Sequence, residues 1–277
     1  ATTIGSTLGP NLVRPAKAFA AFLGIPLLTG SFAISVVGLV LAIAALLILV
    51  RPDPLLESRR LAALDAGQNS AEAAASAPAD GSVWNGLRVI LARPVARLGL
   101  LALAVGHSVM VSVMVMTPLH MAHGHAELSI IGFVISMHIL GMFAFAPLTG
   151  LAVDRFGGRA VAVVGSMILT TATLLASVSP IGHSSTLLIG LFLLGLGWSC
   201  TFVAGSALLT GALTPQERPA AQGAADVITG LAAAISGFLG GIIVAHLSFH
   251  ALSLTSLGFA LVIGIAAAFT PVDRDQG

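Results

Sequence analysis

The sequence predicts an all-α integral membrane protein, a polytopic bundle of eight transmembrane helices. Only 8% of the 277 residues are charged, whereas about a quarter of the residues in a soluble domain are. The mean hydropathy is high, at +1.03. Eight apolar runs are long enough to cross a bilayer core, which needs roughly 20 residues of helix. They cover about 2–24, 31–50, 96–118, 128–150, 160–179, 185–211, 221–246 and 250–270.

The positions of the arginines predict the orientation of these runs. Ten of the 12 Lys and Arg residues lie beside connections on one side of the membrane, and the opposite connections contain none. The ten are Arg51, Arg59, Arg60, Arg88, Arg93, Arg97, Arg155, Arg159, Arg218 and Arg274. Because positively charged loops stay in the cytoplasm, we expect a multi-pass plasma-membrane protein with a cytoplasmic C-terminus.

The composition excludes several classes of partner. A net charge of +1 disfavours nucleic acid, since phosphate binding needs clustered Lys and Arg. The single cysteine, Cys200, excludes an internal disulfide and a cysteine-based metal site. The sequence has neither a nucleotide-binding loop nor a His-Glu-x-x-His motif. We therefore expect no cofactor and no resident metal, and a protein that is not an enzyme.

One short segment, TGLAVDRFGGRAVAVVG at 149–165, concentrates charge between two apolar runs. We expect one helix to end at Gly150, the next to begin near residue 160, and Gly157 and Gly158 to form a tight turn with positive φ. Asp154 can pair with a nearby arginine or with a neighbouring helix, so that the segment is either a switching contact or a plain positively charged loop.

This segment resembles a known family signature. The pattern G-x-x-x-D-R-x-G-x-R, formed by Gly150, Asp154, Arg155, Gly157 and Arg159, is similar to the loop motif of the major facilitator superfamily. In that family the loop follows the second helix of a six-helix half. The resemblance implies that 96–277 is a six-helix C-terminal half, that 51–95 is the cytoplasmic linker, and that 1–50 holds the last two helices of the N-terminal half.

A second motif supports the same assignment. Gly5, Gly9 and Pro10 form G-x-x-x-G-P, in which small residues let helices approach closely and proline kinks the helix. This resembles the signature of helix five in the family's exporters. The chain would then be a fragment corresponding to helices 5–12, and we expect no transport from it without helices one to four.

The resemblance also implies a function. It predicts secondary active transport of a small molecule by alternating access, with the substrate near the bilayer midplane. Proton-coupled efflux by a monomer is the expected form. The alternative is a membrane receptor, or a metal or pH sensor, built from outer-face histidines.

Two histidines are candidates for proton coupling or substrate binding. His107 lies about eleven residues from the outer end of the third run, and His138 about ten from the outer end of the fourth. Because these runs are antiparallel, we expect both imidazoles at one depth near the midplane. The alternative is that each histidine is bonded separately to backbone or hydroxyl groups.

Three further polar residues lie within the apolar runs. Asp226 can carry a proton, bind a cationic substrate or pair with a cytoplasmic arginine. Asn11 and Arg14 share a helix face and can attract an anionic substrate, or they serve only to contact other helices.

Six histidines are expected at the outer face, three of them in the segment HMAHGHAE. They are His120, His123, His125, His183, His246 and His250. These histidines have three possible interpretations: a metal site, a pH sensor or simple polar loop residues.

Before the third run, Trp84, Leu87, Ile90 and Leu91 recur at helical spacing, with Arg88 and Arg93 placed opposite. This pattern predicts an interfacial helix that leads into the membrane.

Overall fold

A computed structural model describes residues 9, 12–51, 82–182 and 184–270. The chain divides into two compact units, residues 11–79 and residues 80–277 with the first ten. The predictions that concern Gly5, Pro10, Asn11 and His183 lie outside the described residues, as do most of the linker and the side chain of Arg14. The assignment of 1–50, 51–95 and 96–277 to two halves and a linker stays a prediction.

The described residues of the first unit, 12–51, form two helices. Helix α1 spans Val13–Leu23, a short 3-10 turn spans Leu27–Thr29, and α2 spans Gly30–Leu49. Gly30 is buried against α1, where a Cβ atom would overlap the carbonyl of Ala16. The other described side chains of α2 are partly or fully exposed and almost all apolar, as expected for a membrane span.

The second unit is helical throughout its described residues. Its helices are α3 Val83–Ala92, α4 Pro94–His123, α5 Leu128–Phe143, α6 Ala146–Phe156, α7 Gly158–Ser177, α8 Ser185–Gly211, α9 Arg218–His246 and α10 Phe249–Phe269. Counting α5 and α6 as one span, the described chain has seven helices long and apolar enough to cross a membrane. The predicted run that is not among these seven is the first, 2–24, which is described only from residue 12 onward, apart from Gly9.

Serine residues begin three of these helices. Ser82, Ser184 and Ser248 each accept a hydrogen bond from a backbone N–H three residues later, at 3.2, 3.1 and 3.0 Å. A serine at this position satisfies one of the N–H groups that a helix start leaves unpaired. The starts of α3, α8 and α10 are therefore encoded locally.

Helix α8 lies at the centre of the unit because its glycines allow close packing. Gly205 packs on Gly99 of α4, Gly195 on the His138 carbonyl of α5, and Gly197 on Leu169 of α7. In each case a Cβ atom on the α8 glycine would come within 3.0 Å of a neighbouring atom. Small residues that let backbones approach are typical of helix contacts in membranes.

The fourth predicted run differs from the structure in two ways. The helix is interrupted at Ala144 and Phe145, immediately before Pro147, whose ring and missing N–H oppose continuation from the preceding turn. The second piece, α6, then continues six residues beyond Gly150, to Phe156. The predicted helix end at Gly150 is therefore wrong.

The predicted loop is also shorter than expected. Gly157, with a φ of 82°, is the single residue between α6 and α7, whereas Gly158 is already helical. Gly157 thus has the expected positive φ and Gly158 does not. Asp154 and Arg155 consequently lie in the last turn of α6 instead of a loop.

Candidate functional site

The His107 side chain is bonded to α8. The indole Nε1–H of Trp198 donates to His107 Nδ1 at 2.9 Å. Because this nitrogen accepts, it carries no proton, and the neutral ring must hold its hydrogen on Nε2. The contact lies inside the bundle, since Trp198 is 6% exposed and His107 is partly buried.

Trp198 joins His107 to two phenylalanines. Its ring stacks on Phe202 with centroids 4.8 Å apart and meets Phe143 edge-on at 5.9 Å. We call His107, Phe143, Trp198 and Phe202 the aromatic cluster. It brings together α4, α5 and α8, and the 38% exposure of Phe202 leaves part of the cluster open.

His138 is held separately and more deeply. Its side chain is fully buried, and Nδ1 lies 2.8 Å from the carbonyl oxygen of Leu191. A carbonyl can only accept, so Nδ1 is the donor. The other ring nitrogen, Nε2, has no hydrogen-bond partner in the described part of the chain. His138 therefore links α5 to α8 through a separate bond to the backbone in this conformation, the alternative that the sequence left open.

The two imidazoles do not lie at one depth, contrary to the sequence-based expectation. They bond to Leu191 and Trp198, seven residues apart on α8, which corresponds to about 10 Å at 1.5 Å per residue. The reason is that α4 extends to His123 instead of residue 118. His107 is then sixteen residues from the outer end of α4, whereas His138 is ten from the start of α5.

Asp226 lies elsewhere. It is exposed on α9 and forms no described hydrogen bond or ion pair. The structure does not bring it to the aromatic cluster. An apolar groove of about 560 Å³ between α4, α9 and α10, where Ser112 and Ser256 are 3.1 Å apart, also contains none of the predicted site residues.

The charged motif is divided by the Gly157 turn. On the α7 side, the Arg159 guanidinium donates to the carbonyls of Ala267 and Ala268 at the end of α10, groups that a helix C-terminus leaves unpaired. On the α6 side, Asp154 is exposed without a described partner, and Arg155 lies 5.6 Å from the centre of the Phe156 ring. No described atom lies within 4 Å of a Cβ placed on Gly150 or Gly9, so neither marks a close helix contact in the described chain.

Two of the histidines predicted for the outer face connect helices. His120 Nε2 lies 3.2 Å from the Pro180 carbonyl, and its ring stacks on Phe249 at 4.2 Å. His250 Nδ1 lies 2.8 Å from the Ser177 carbonyl. The remaining described histidines of this face, His123, His125 and His246, are exposed. Within the described ranges no three His, Cys, Asp or Glu side chains come together in a geometry that could hold a metal.

An ion pair that was not predicted from the sequence joins the α3–α4 junction to the start of α9. Arg93 donates to both carboxylate oxygens of Glu217, at 2.7 and 3.1 Å. Glu217 also accepts from the backbone N–H and the hydroxyl of Thr214, at 2.9 and 2.8 Å. The bond from Arg93 is the largest cause, ahead of Thr214, that lowers the pKa of Glu217 to about 2. The T-x-x-E spacing is a helix-start signature and was visible in the sequence. Trp198 was missed because a lone tryptophan in an apolar run gives no pattern.

Comparison with known proteins identifies the family. The sequence model of the Major Facilitator Superfamily matches residues 100–277. The chain belongs to this superfamily. It is thus a member of a family of transporters, not of enzymes. The match covers α4–α10, so the aromatic cluster and the Gly157 turn both lie in the family domain.

Several bacterial proteins are similar to this chain in sequence. The uncharacterized MFS-type transporters YddS and YdeG of Bacillus subtilis (strain 168) are each 35% identical, over 95% and 91% of this chain and 58% and 56% of their own lengths. The riboflavin transporter RfnT of Brucella anthropi is 34% identical over 56% of the chain and 38% of its own length. The multidrug resistance protein MdtL of Klebsiella pneumoniae (strain 342) is 28% identical over 48% and 34%. The chain thus spans little more than half of YddS and YdeG. No solved structure matches it.

Proposed function

We propose that this major facilitator protein is a secondary transporter of the plasma membrane that exports a small organic molecule in exchange for protons. Its relatives include proteins named for riboflavin transport and for multidrug resistance, which supports an organic substrate. Alternating access of two helix bundles around a midplane site is the mechanism that the superfamily implies. In the proposed topology, the C-terminus lies in the cytoplasm.

The bond between Trp198 and His107 is the observation that carries the proposal of proton coupling. In the structure, the lone pair of His107 Nδ1 is occupied by the indole N–H at 2.9 Å. A proton that binds Nδ1 removes this acceptor, because a protonated imidazole has donors only. Proton and indole therefore compete for one atom, and protonation releases Trp198 from α4.

Release of Trp198 would reach the rest of the aromatic cluster. Phe202 and Phe143 pack on the same indole, so a turn of that ring exposes or covers the partly open surface beside Phe202. We infer that this surface contacts the substrate. Aromatic faces suit flat organic molecules and organic cations. Exchange of substrate for protons requires that the two compete for the same state of the cluster.

The surroundings of His107 contain few other ionisable groups. Among the described residues, the helices packed against α4 carry Arg88 on α3, His138 on α5, Arg159 on α7, Cys200 on α8, Arg218, Asp226 and His246 on α9, and His250 on α10. Arg159 and His250 are bonded to carbonyls near opposite ends of the bundle. His107 is thus the titratable group that contacts Trp198 directly.

Other predicted residues keep subsidiary roles. We propose Asp226, Asn11 and Arg14 as further substrate or proton contacts, and His138 as a neutral residue that positions α5 on α8. We also propose that Gly150, Asp154, Arg155, Gly157 and Arg159 form a gating connection. Asp154 would supply a charge that finds a partner in another state of the transport cycle.

The fluorescence of Trp198 tests the coupling step. The chain contains two tryptophans, Trp84 and Trp198, so W84F isolates the emission of Trp198. We expect this emission to change on acidification through the range in which histidine titrates. In W84F/H107Q the change should vanish, because glutamine can accept the indole N–H but does not titrate. W84F/H246Q, which replaces an exposed histidine of α9, is the matched control. Equal titration of W84F and W84F/H107Q would refute the competition.

Transport itself is tested in everted membrane vesicles from cells that express the protein at its full natural length. We expect riboflavin or a fluorescent organic cation to accumulate when the vesicle interior is acid. Collapse of the pH gradient should stop the accumulation. H107Q should lose it, whereas H246Q should not. Accumulation that persists without a gradient would contradict proton coupling, and no accumulation above that of empty vesicles would contradict export of these compounds.

A further inference from the structure

Helix α3 has two apolar faces instead of the single face that its sequence suggested. Gly86 and Ile90 are buried, and a Cβ on Gly86 would overlap the carbonyl of Ala220 at the start of α9. On the other side, Trp84 is 80% exposed and Leu91 is 54% exposed. The inner face is thus occupied by the bundle, whereas the outer face has no described protein contact that covers it.

A positive charge lies on this outer face. Arg88 is exposed and follows Trp84 by four residues and precedes Leu91 by three. On a helix such spacings place side chains side by side. The earlier expectation that the arginine lies opposite the apolar residues is therefore wrong for Trp84 and Leu91. We call Trp84, Arg88 and Leu91 the outer face of α3.

The position of α3 is fixed at both ends. Ser82 caps its start, and the extended backbone of Arg93, with a φ of −121° and a ψ of 122°, separates it from α4. The Arg93–Glu217 ion pair connects this junction to the start of α9. The outer face is consequently held where the spans α4 and α9 both begin.

We propose that the outer face of α3 binds an anionic lipid surface. Two observations support a bilayer as the occupant. First, α3 is joined through one residue to α4, a membrane span, so its outer face continues the protein's contact with the bilayer. Second, the charge is complementary: Arg88 and Arg97 are exposed at this end, while the nearby acid, Glu217, is already paired with Arg93. Tryptophan is enriched at the level of lipid headgroups, and arginine is attracted to anionic ones.

This inference does not depend on the proposed transport activity. The chain, reconstituted in phosphatidylcholine vesicles with or without phosphatidylglycerol, provides the test. Emission of Trp84 is taken as the difference between the wild type and W84F, which leaves Trp198 unchanged. We expect lipids brominated near the headgroup to quench this difference, and aqueous acrylamide to quench it weakly. Phosphatidylglycerol should strengthen the lipid quenching.

The variant R88Q should weaken the outer face's preference for phosphatidylglycerol about fivefold, the change that ~1 kcal/mol per arginine gives. R97Q removes the same charge from α4, outside this face, and should weaken the preference for phosphatidylglycerol less than R88Q does. The proposal is overturned if acrylamide quenches Trp84 freely while brominated lipid does not. It is equally overturned if Trp84 is shielded from both quenchers. Shielding that depends on protein concentration would mean that a second copy covers this face, and shielding that does not would mean that another segment of this chain covers it.

Discussion

The contact between α5 and α8 gives the sharpest prediction about how this unit is held together. In the variant G195A, a methyl group would overlap the carbonyl oxygen of His138 and lie 2.9 Å from the Met142 nitrogen. Reaching an ordinary separation of ~3.5 Å requires α5 to retreat by more than about 1 Å at the His138 oxygen, the nearer atom, and by about 0.6 Å at the Met142 nitrogen. That shift strains the bond between His138 and Leu191, which is 2.8 Å long.

The expected cost follows from two opposing effects. Overpacking a close contact costs about 1–3 kcal/mol, while alanine in place of glycine returns up to ~1 kcal/mol of helix propensity. Because the overlap with the His138 oxygen is severe, the cost lies at the upper end of the first range, and we expect G195A to lower the free energy of unfolding by about 2 kcal/mol. The measurement is SDS titration in mixed micelles, followed by circular dichroism. The control is G258A on α10, where no described atom lies within 4 Å of the new methyl group. If G195A is as stable as G258A, the close contact does not hold α5.

Three further predictions concern the ends of the helices. E217Q should lower the melting temperature equally at pH 7 and pH 6, because the bond from Arg93 lowers the pKa of Glu217 from 4.5 to about 2. The stabilising effect of the ionised carboxylate is complete above its ordinary pKa and is lost as the pH falls toward 2, so the wild type should approach E217Q only in strong acid. R159Q should speed hydrogen exchange in the last turn of α10, whose carbonyls this side chain binds, and R159K should restore part of the protection. Unchanged exchange in R159Q would mean that the contact does not stabilise the end of α10. H250A should make the connection between α7 and α8 more sensitive to protease than H246A does, because His250 bonds to the end of α7 and His246 does not. Equal sensitivity of the two variants would mean that the His250–Ser177 bond does not stabilise this connection.

The helices were largely predictable because their signals are local. Length and apolar composition were enough for α2, α7, α8, α9 and α10, whose bounds differ from the predicted runs by three residues at most. The break at Ala144 and Phe145 was not foreseen, since both residues are apolar and only Pro147 marks it. The extension of α4 to His123 was missed for the opposite reason, because it follows Pro118 and contains two histidines.

The candidate site was less predictable because it depends on pairs of residues far apart in sequence. His107 was singled out as an ionisable residue inside an apolar run, but its partner Trp198 lies 91 residues away. Arg93 and Glu217 are separated by 124 residues. Counting along two helices from uncertain ends placed His107 and His138 at one level, and a five-residue error in one end was enough to separate them. Single candidate residues can be predicted from composition, whereas contacts between helices depend on how the helices pack.

The charged motif shows how much a family signature leaves open. Asp154 and Arg155 are adjacent on α6, and neighbouring residues of a helix point about 100° apart, so they do not pair with each other. Arg159 is already bound to the carbonyls of α10. Of the three partners that the sequence offered to Asp154, the two arginines are thus accounted for, and no described helix supplies the third. A carboxylate without a partner at a one-residue turn can gain a bond when α6 moves without first losing one. That asymmetry favours a switching role over a plain loop, and D154N, which keeps the shape and removes the charge, should therefore affect the rate of conformational exchange more than the stability of the unit.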